Sequence, residues 1–540
     1  MPADLVFLGA RVERIAPGPP ADAVAVQGGR ITHVGSEREI RAEIDASTEV
    51  AQLEGASLLP GFQDAHVHPV SGGLLADLCD LHDLPDADAI LAAIEAYARA
   101  HPEREWISGW GWSLTAFPNG EPSRELLDGV VGDRLAMLES SDGHVAWASS
   151  RALAAAGVTR ETPDPPDGRI ARDTDGEPSG TLMDGAIELV ARLVPELTHE
   201  ERLIGLRAAQ AHLHALGITA WQDAHVEPED LAVYQAAQKA GWLTARVVAA
   251  LWWERERGME QVEELEALCA SVGPGRLRAD SVKLMLDGIL ESRTALLTEP
   301  YQGSESGGAP FIEPKILLEA VPELDRRGFQ AHFHAIGDGA VRLALDAVAE
   351  ARRRNGRSDT RPHISHIEVI HPADVPRFGA LGTVANMQPF WASDDDQMQG
   401  LRIPALGPHR AHWQYVFASL RRAGARLAGG SDWTVTTANA LLEIEVAVNR
   451  VSPSARGSAA FLPEECLTLD EALEAFTLGS AYVNHLDRDT GTIEVGKLAD
   501  LVVLDRDLRA SDEPIGEARV RETYVEGERV YSMPGGGVRS

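Results

Sequence analysis

The sequence predicts an α/β protein: a (β/α)8 TIM-type barrel with a small β-sandwich built from both chain ends and an insertion after the first barrel strand. Three observations lead there. From about residue 200 onward, helical and strand-like segments alternate, the pattern of parallel strands joined by crossover helices. The two chain ends share a different texture, short apolar runs separated by Gly and Asp turns. Between about residues 75 and 197 the alternation stops, so that stretch interrupts the repeat. A doubly wound open sheet is the alternative that the alternation alone allows.

In chain order, residues 1–57 carry DLVFLGARVERI, DAVAVQGGRITHVG and EVAQLEGASLLPG, short strand-and-turn units. The far end, 488–540, resumes that texture with TGTIEVGKLADLVVLDRD and RVRETYVEGERVY, so the two ends are expected to complete one sandwich. Residues 58–487 then form the barrel, with a first strand counted over 57–66. Within it, 75–197 hold a helix (DADAILAAIEAYARA), the Trp-rich WISGWGWSLTAFP and a hairpin around GRIARDTDGEPSGTLM with its Asp-Gly turn. An insertion at that point covers the barrel mouth as a lid or substrate wall. Strands two to eight read as ITAWQDA, TARVVAAL, DSVKLMLDG, FQAHFHAIGD, RPHISHIE, TVANMQP and RLAGGSDW. Each follows a helix-like run, such as LTHEERLIGLRAAQAHLHALG before the second or YVFASLRRAGA before the eighth.

Lys and Arg total 49 against 83 Asp and Glu, a net charge of -34 that disfavours nucleic-acid backbones and anionic membrane surfaces. With 44% hydrophobic residues the chain can bury a full core, and no run of about eighteen apolar residues occurs. Cys79, Cys269 and Cys466 are unclustered, which indicates neither a disulfide framework nor a thiolate metal site. MPADLVFLGARVERI lacks a basic, then apolar, leader pattern. A reducing, cytoplasmic setting and a small-molecule substrate are the expectation.

The run LLPGFQDAHVHP ends with His66 and His68 two residues apart, so both imidazoles leave a strand on one face. Two neutral imidazoles converging on a point begin a site for a borderline metal such as zinc, provided other segments bring further ligands. Catalytic groups of this fold come from the C-terminal ends of several strands. Those ends here offer Lys283 in SVKLMLDG, His334 in AHFHAIGD, His366 in the sixth strand and Asp432 in GGSDW. Singly, each has a structural reading: a packed histidine, a snorkelling lysine, a turn-capping aspartate. Six ligand-type residues at strand ends of one chain favour the metal reading.

These motifs resemble the metal-dependent amidohydrolase superfamily, and within it the amidohydrolase-3 branch that includes N-substituted formamide deformylases. PGFQDAHVHP is similar to the superfamily's first-strand motif, HAIGDGAV and the His366 segment to the branch's fifth- and sixth-strand motifs, and GSDW to its eighth. TGTIEVGKLADLVVLD resembles the C-terminal sandwich strand and SSDGHVAWASSRAL a segment of the branch's insertion. The resemblance spans nearly the whole chain. It implies a binuclear centre of divalent metal, two Zn2+ per chain, with His66, His68 and Asp432 on one ion, His334 and His366 on the other, and Lys283 bridging them as a carbamate. His363 is a competing histidine, but its spacing to HPADVPRFGALG favours His366. One position departs from the branch: Ser365 precedes His366 where Glu is usual, and Glu368 lies two residues beyond. The contact that Glu would make to a ligand or substrate is what the departure puts in question.

A binuclear centre lowers the pKa of a bound water from 15.7 toward roughly 7 and polarises a carbonyl. Asp432 is then the general base and acid of C–N hydrolysis. The chain has no GxSxG elbow and no Cys–His pairing that would support an acyl-enzyme. Trp433 follows Asp432, Phe390 and Trp391 follow the seventh strand, and the insertion brings Trp110, Trp112 and His144. Aromatic walls favour an apolar or aromatic amide; the same rings would also serve to pack the insertion on the barrel. His144 is read as a hydrogen-bond donor to the substrate carbonyl or as a buried structural histidine. Three functions are therefore compatible with the sequence: a linear N-substituted amide or formamide hydrolase, an esterase, lactonase or phosphoester hydrolase on the same centre, and a non-catalytic scaffold. The complete ligand set argues against the last. Related proteins are commonly homodimers.

Overall fold

In the computed structural model, which describes residues 2–74, 78–82 and 84–534, eight parallel strands form one sheet in sequential order. They are Phe62–Val67, Ile218–Val226, Arg246–Trp252, Leu277–Met285, Gln330–Ala335, His363–His366, Val384–Met387 and Leu427–Gly429. Just past the end of strand 8, Asp432 N–H donates to His66 O and His68 N–H to Trp433 O, both at 2.8 Å, which ties the last strand to the first and curls the sheet into a barrel. The two glycines of GGSDW permit that approach: a Cβ on Gly430 would lie 2.8 Å from the His66 Cβ. Alternation along strand 5 shows how the barrel divides its residues. Phe333 joins the apolar layer under the helices with Val282, Leu284, Val341 and Leu345, while His332 and His334 take the opposite, inner face.

The first strand is shorter than the 57–66 run expected from sequence. Ser57–Pro60 pairs antiparallel with Leu501–Leu504 in a five-stranded sheet, and only Phe62–Val67 joins the barrel. The continuous apolar run hides the change of sheet, which occurs at Gly61, where a Cβ would lie 2.4 Å from the Thr219 side chain. Beside the barrel, that sheet combines Arg11–Val12 and Ser57–Pro60 with three strands from the C-terminal end. It faces a four-stranded sheet drawn from Leu5–Gln52 across a core of Phe7, Val24, Val26, Leu58, Leu501, Val503 and Tyr524. Positions 535–540 of the expected C-terminal segment lie outside the described residues.

Between strands 1 and 2 the chain builds a separate six-stranded sheet, with Gly168–Arg172 and Pro178–Asp184 as the antiparallel hairpin at one edge and Gly176 at φ 85° in its turn. Positions 75–77 and 83 at the start of this stretch are outside the described residues. Trp110, Asp142, His144 and Asp184 from this unit line a cavity at the barrel mouth. The helix Pro69–Gly73, directly after His68, crosses His199–Ala215 at glycines: a Cβ on Gly73 would lie 1.8 Å from Gly205 O, and one on Gly205 2.6 Å from Val70 O. Gly205→Ala is therefore expected to cost about 1–3 kcal/mol by overpacking. Gly129→Ala, in a helix where the new methyl meets nothing within 4 Å, is expected to gain about 0.4–1 kcal/mol. Denaturant midpoints of the two variants measured side by side check the pair, and equal midpoints would refute the close crossing.

Candidate functional site

Strand 1 and the turn after strand 8 bring His66, His68 and Asp432 together, with one ligand atom from each lying within 4.8 Å of the others. His66 Nε2 is 3.2 Å and His68 Nε2 3.1 Å from the same oxygen, Asp432 Oδ1. The seam that closes the barrel is thus also what assembles this trio. Asp432 adopts φ 54°, a left-handed turn that Asp tolerates better than most residues and that turns its carboxylate back toward strand 1. Below it, the buried Asp64 carboxylate accepts from His66 N at 2.9 Å and Ser431 N at 3.1 Å, holding both sides of the seam with one side chain.

The remaining sequence-predicted residues meet the trio from strands 4, 5 and 6. Lys283 Nζ is 3.2 Å from His66 Nε2. The His366 ring lies 4.8 Å from that of His66 and 4.5 Å from that of His334, centroid to centroid. In strand 6, strict alternation would place His363 and Ser365 inward and His366 outward. Left-handed backbone at His366 (φ 76°) and Ile367 (φ 50°) breaks the alternation and returns the His366 ring to the site, strain on the order of 1–3 kcal/mol per residue. His334 Nε2 and His366 Nδ1 are buried with no hydrogen-bond partner among the described residues.

Burial, with the neighbouring Lys283 and histidine charges, drives His66 and His334 far below the ordinary imidazole range, and burial does the same to His366 against the pull of Asp432. Burial likewise lowers the Lys283 amine to about 7 against the attraction of Asp432 and Asp223. For Asp432, burial opposes ionisation, but the hydrogen bond from His68 and the nearby His366, His68 and Lys283 hold the carboxyl below its usual value. Neutral imidazoles with idle nitrogens, an ionised carboxylate and an amine that readily sheds its proton are the donor set a zinc-type ion requires.

The cavity above these residues holds about 620 Å³. His144 enters it from the insertion, its ring 5.5 Å from that of His334. Its Nδ1 donates to Asp184 Oδ1 at 2.6 Å. Burial favours the neutral ring, but that bond and the charges of Asp184 and Asp142 prevail and raise it to about 9, so His144 stands at the mouth as an imidazolium. Phe390 and Trp391 line the cavity, and Trp391 stacks on His366 at 5.3 Å with rings 6° apart.

Two expected wall residues do not reach it. Trp112 is wholly buried in the insertion's core, bonded through Nε1 to Leu138 O at 2.9 Å and packed on Phe117 and Trp147. The pairing of its strand slips between Glu139 and Ser140, opposite Gly111 at φ 106°, so Trp110 and Trp112 face opposite sides despite their spacing, and only Trp110 lines the cavity. Trp433 turns away from the mouth to stack on His212 at 4.8 Å and to cover Gly72. Once Asp432 takes its left-handed turn inward, the next side chain leaves on the opposite face.

Several site residues escape the sequence reading. His332, two before His334, points into the barrel with Nε2 3.0 Å from His66 Nδ1; the HFH spacing in strand 5 carries the same signal as HVH in strand 1. Asp287 follows strand 4 and accepts from Leu296, Ile336 and Gly337 N–H at 2.8–3.0 Å, and its Oδ1 lies 3.9 Å from His334 Nε2. Arg402, from the loop after strand 7, is bound through Nε to Glu291 at 2.5 Å and through Nη1 to Tyr415 at 2.8 Å. No local pattern marks these last two, because their partners are distant in sequence.

Comparison with known proteins agrees with this architecture. The model of the amidohydrolase family matches residues 49–531. The protein LONG AFTER FAR-RED 3 of Arabidopsis thaliana is 32% identical over 95% of this chain and 89% of its own length. The N-substituted formamide deformylase of Arthrobacter pascens is 27% identical over 98% of this chain and 99% of its own. An uncharacterized metal-dependent hydrolase from Pyrococcus furiosus superposes with a TM-score of 0.72 at 25% identity, covering 93% of this chain and 99% of that one.

The His144–Asp184 pair has a pH signature. A histidine whose folded pKa is raised stabilises the fold fully below its unfolded value of about 6.5. That contribution fades as pH rises through about 9. Asp184→Asn, which keeps the shape and suits the φ of 46° at this position, is expected to cost about 3 kcal/mol at pH 6 and clearly less at pH 10. Denaturant midpoints at the two pH values test this, and an equal loss at both would rule out the charged pair.

Proposed function

Proceeding from the membership of this chain in the amidohydrolase family, we propose that it is a metal-dependent hydrolase that cleaves the C–N bond of a linear, apolar or aromatic N-substituted amide or formamide. The observation that carries the reading is the convergence of His66, His68 and Asp432 on one point at the barrel mouth, beside His334, His366 and Lys283. The name of the Arthrobacter relative supports the substrate class, and that of the Pyrococcus neighbour supports metal dependence.

In this reading His66, His68 and Asp432 would hold one divalent ion and His334 and His366 a second, both of them zinc. Lys283 would serve both ions as an anionic, two-oxygen carbamate, formed when its neutral amine adds to carbon dioxide and releases a proton; an amine lowered to about 7 is about half unprotonated at neutral pH. The ions, when bound, supply an acidified water and a polarised carbonyl. The chain's own residues supply the rest. Asp432, brought by the seam to the same point as His66 and His68, accepts the proton of the attacking water and passes it to the departing amine nitrogen. His144 donates from its free nitrogen to the carbonyl oxygen as negative charge develops there, and Asp184 keeps it protonated. Phe390, Trp391 and Trp110 form an apolar wall that orients the N-substituent and displaces water.

Elemental mass spectrometry of protein purified without chelator is expected to find one to two equivalents of zinc-type metal on the wild type. The wild type is expected to cleave an N-benzylformamide-type amide, and Asp432→Ala to lose roughly 10²–10⁴-fold in turnover. An aryl ester cleaved where the amide is not would move the assignment to ester chemistry on the same residues. Metal-free protein that takes up no zinc on reconstitution would overturn the proposal.

A further inference from the structure

One step deeper in the barrel lies a layer of polar side chains that the proposed reaction does not use: His332, His363, Ser365, Asn386 and Gln388, all 0% exposed. Burying five polar groups together costs several kcal/mol unless their hydrogen bonds are made. Most of those bonds are made, and they lead to the site. Asn386 Nδ2 contacts Ala65 O at 2.9 Å and His363 Nδ1 at 3.1 Å; Gln388 Nε2 contacts Asn386 Oδ1 at 3.1 Å; Gln388 Oε1 contacts His366 N at 2.7 Å. On the other branch, His66 Nδ1 is 2.8 Å from Ser365 Oγ and 3.0 Å from His332 Nε2, and Ser365 Oγ is 3.0 Å from His332 Nε2.

The hydrogens in this layer follow from its fixed ends. Ala65 O can only accept and His366 N–H can only donate, so both amides have a single orientation and His363 Nδ1 accepts, leaving its proton on Nε2. On the His66 branch, Nε2 is the nitrogen that faces Asp432 and Lys283, each at 3.2 Å. A ligating Nε2 leaves the proton on Nδ1, which donates to Ser365 Oγ, and the Ser365 hydroxyl in turn donates to His332 Nε2. With Nε2 of His66 on the metal, His332 closes the chain as an acceptor, and its proton sits on Nδ1, which, like the protonated His363 Nε2, has no hydrogen-bond partner among the described residues.

We propose that this layer fixes His66 in the ring orientation and tautomer that present Nε2 to the metal, with Ser365 and His332 as the positioning residues, while Asn386 and Gln388 hold the backbone beside His66 and at His366. The inference rests on the metal reading above. Its content is specific: a hydroxyl relayed to an imidazole acceptor does here what a carboxylate or backbone carbonyl usually does for a metal-binding histidine. Ser365 is wholly buried, with its hydroxyl within hydrogen-bond distance of both rings, which lie 4.8 Å apart.

The test is the zinc dissociation constant of the full-length protein, measured by competition with a chromophoric chelator. Ser365→Ala and His332→Leu are expected to weaken zinc about 10–100-fold. His332→Gln, whose amide oxygen still accepts from Ser365, is expected to stay within about threefold of wild type, because the acceptor survives. Gln222→Ala serves as control, because it disturbs the polar barrel interior through Ser281 and Gln330, away from the ligands, and is expected to leave zinc affinity unchanged. Folded Ser365→Ala and His332→Leu proteins that bind zinc like wild type, or a His332→Gln protein as weak as His332→Leu, would overturn the proposal. Should the first two fail to fold, Ser365→Cys, which keeps the volume but is a poor acceptor, takes their place: about tenfold weaker zinc is expected, and unchanged affinity overturns it. Wild-type protein that takes up no zinc would instead sink the metal reading on which this inference stands.

Discussion

The mouth of this barrel depends on the seam between its eighth and first strands. Two backbone hydrogen bonds of 2.8 Å, Asp432 N to His66 O and His68 N to Trp433 O, close the sheet and fix three side chains in the same act. Residues more than 360 positions apart in sequence meet here, so the whole ring of strands must be in register before the trio exists. The seam also accounts for a buried acid. Asp64 is raised to about 7 by burial despite its bonds to Ser431 and His66 N–H, and it is retained because it holds both edges of the closure. Gly430 at the same place leaves room for the His66 side chain.

From the seam outward the site trades stability for readiness. A well-packed core would give every buried nitrogen a partner, yet His334 Nε2 and His366 Nδ1 have none among the described residues, and strand 6 ends in two successive left-handed residues to bring His366 in. Unmet polar atoms and strained backbone each cost on the order of 1–3 kcal/mol. They persist because helices such as Pro314–Arg326 and Asp338–Asn355 bury Leu317, Val321, Val341 and Leu345 against the outer face of the sheet, which determines the backbone whatever the inner face prefers. A ligand that coordinates those nitrogens would recover much of the cost, which makes metal binding and folding parts of one free-energy balance.

The barrel was legible because each strand ends in a distinctive dipeptide or turn and each helix precedes it at regular spacing. The His-x-His pair and the GGSDW turn were legible because period-two alternation and a glycine pair are local signals. What could not be read is whatever depends on a break in that alternation. Trp112 was expected on the cavity wall and lies in the insertion's core because a one-residue slip beside Gly111 reverses its face. Trp433 was expected there too and points to His212 because Asp432 turns left-handed. Ser57–Pro60 looked continuous with the first barrel strand because a sheet change needs only one glycine. His332, by contrast, carries a local signal: its spacing from His334 repeats that of His66 and His68. Ser365, seen in sequence as a gap in the expected pattern, reaches His66 at 2.8 Å, a contact set by tertiary structure alone.

The division of labour between barrel and insertion bears on how such a site changes its substrate. The insertion has its own apolar cores, one built on Trp112, Trp147, Ile90 and Leu127 and another on Leu153, Ile170, Leu182 and Val190, separate from the layer that supports the strands. The proposed metal ligands come from the barrel strands or from the residues that directly follow them. His144 and its partner Asp184, which reach the mouth from above, both come from the insertion and are hydrogen-bonded to each other. Substitutions in the insertion can therefore reshape the wall through Trp110 and its neighbours, but a change at His144 reaches His334, whose ring is 5.5 Å away. The wall is thus easier to alter than the cluster of strand-end residues beneath it, except where the two layers touch at His144 and His334.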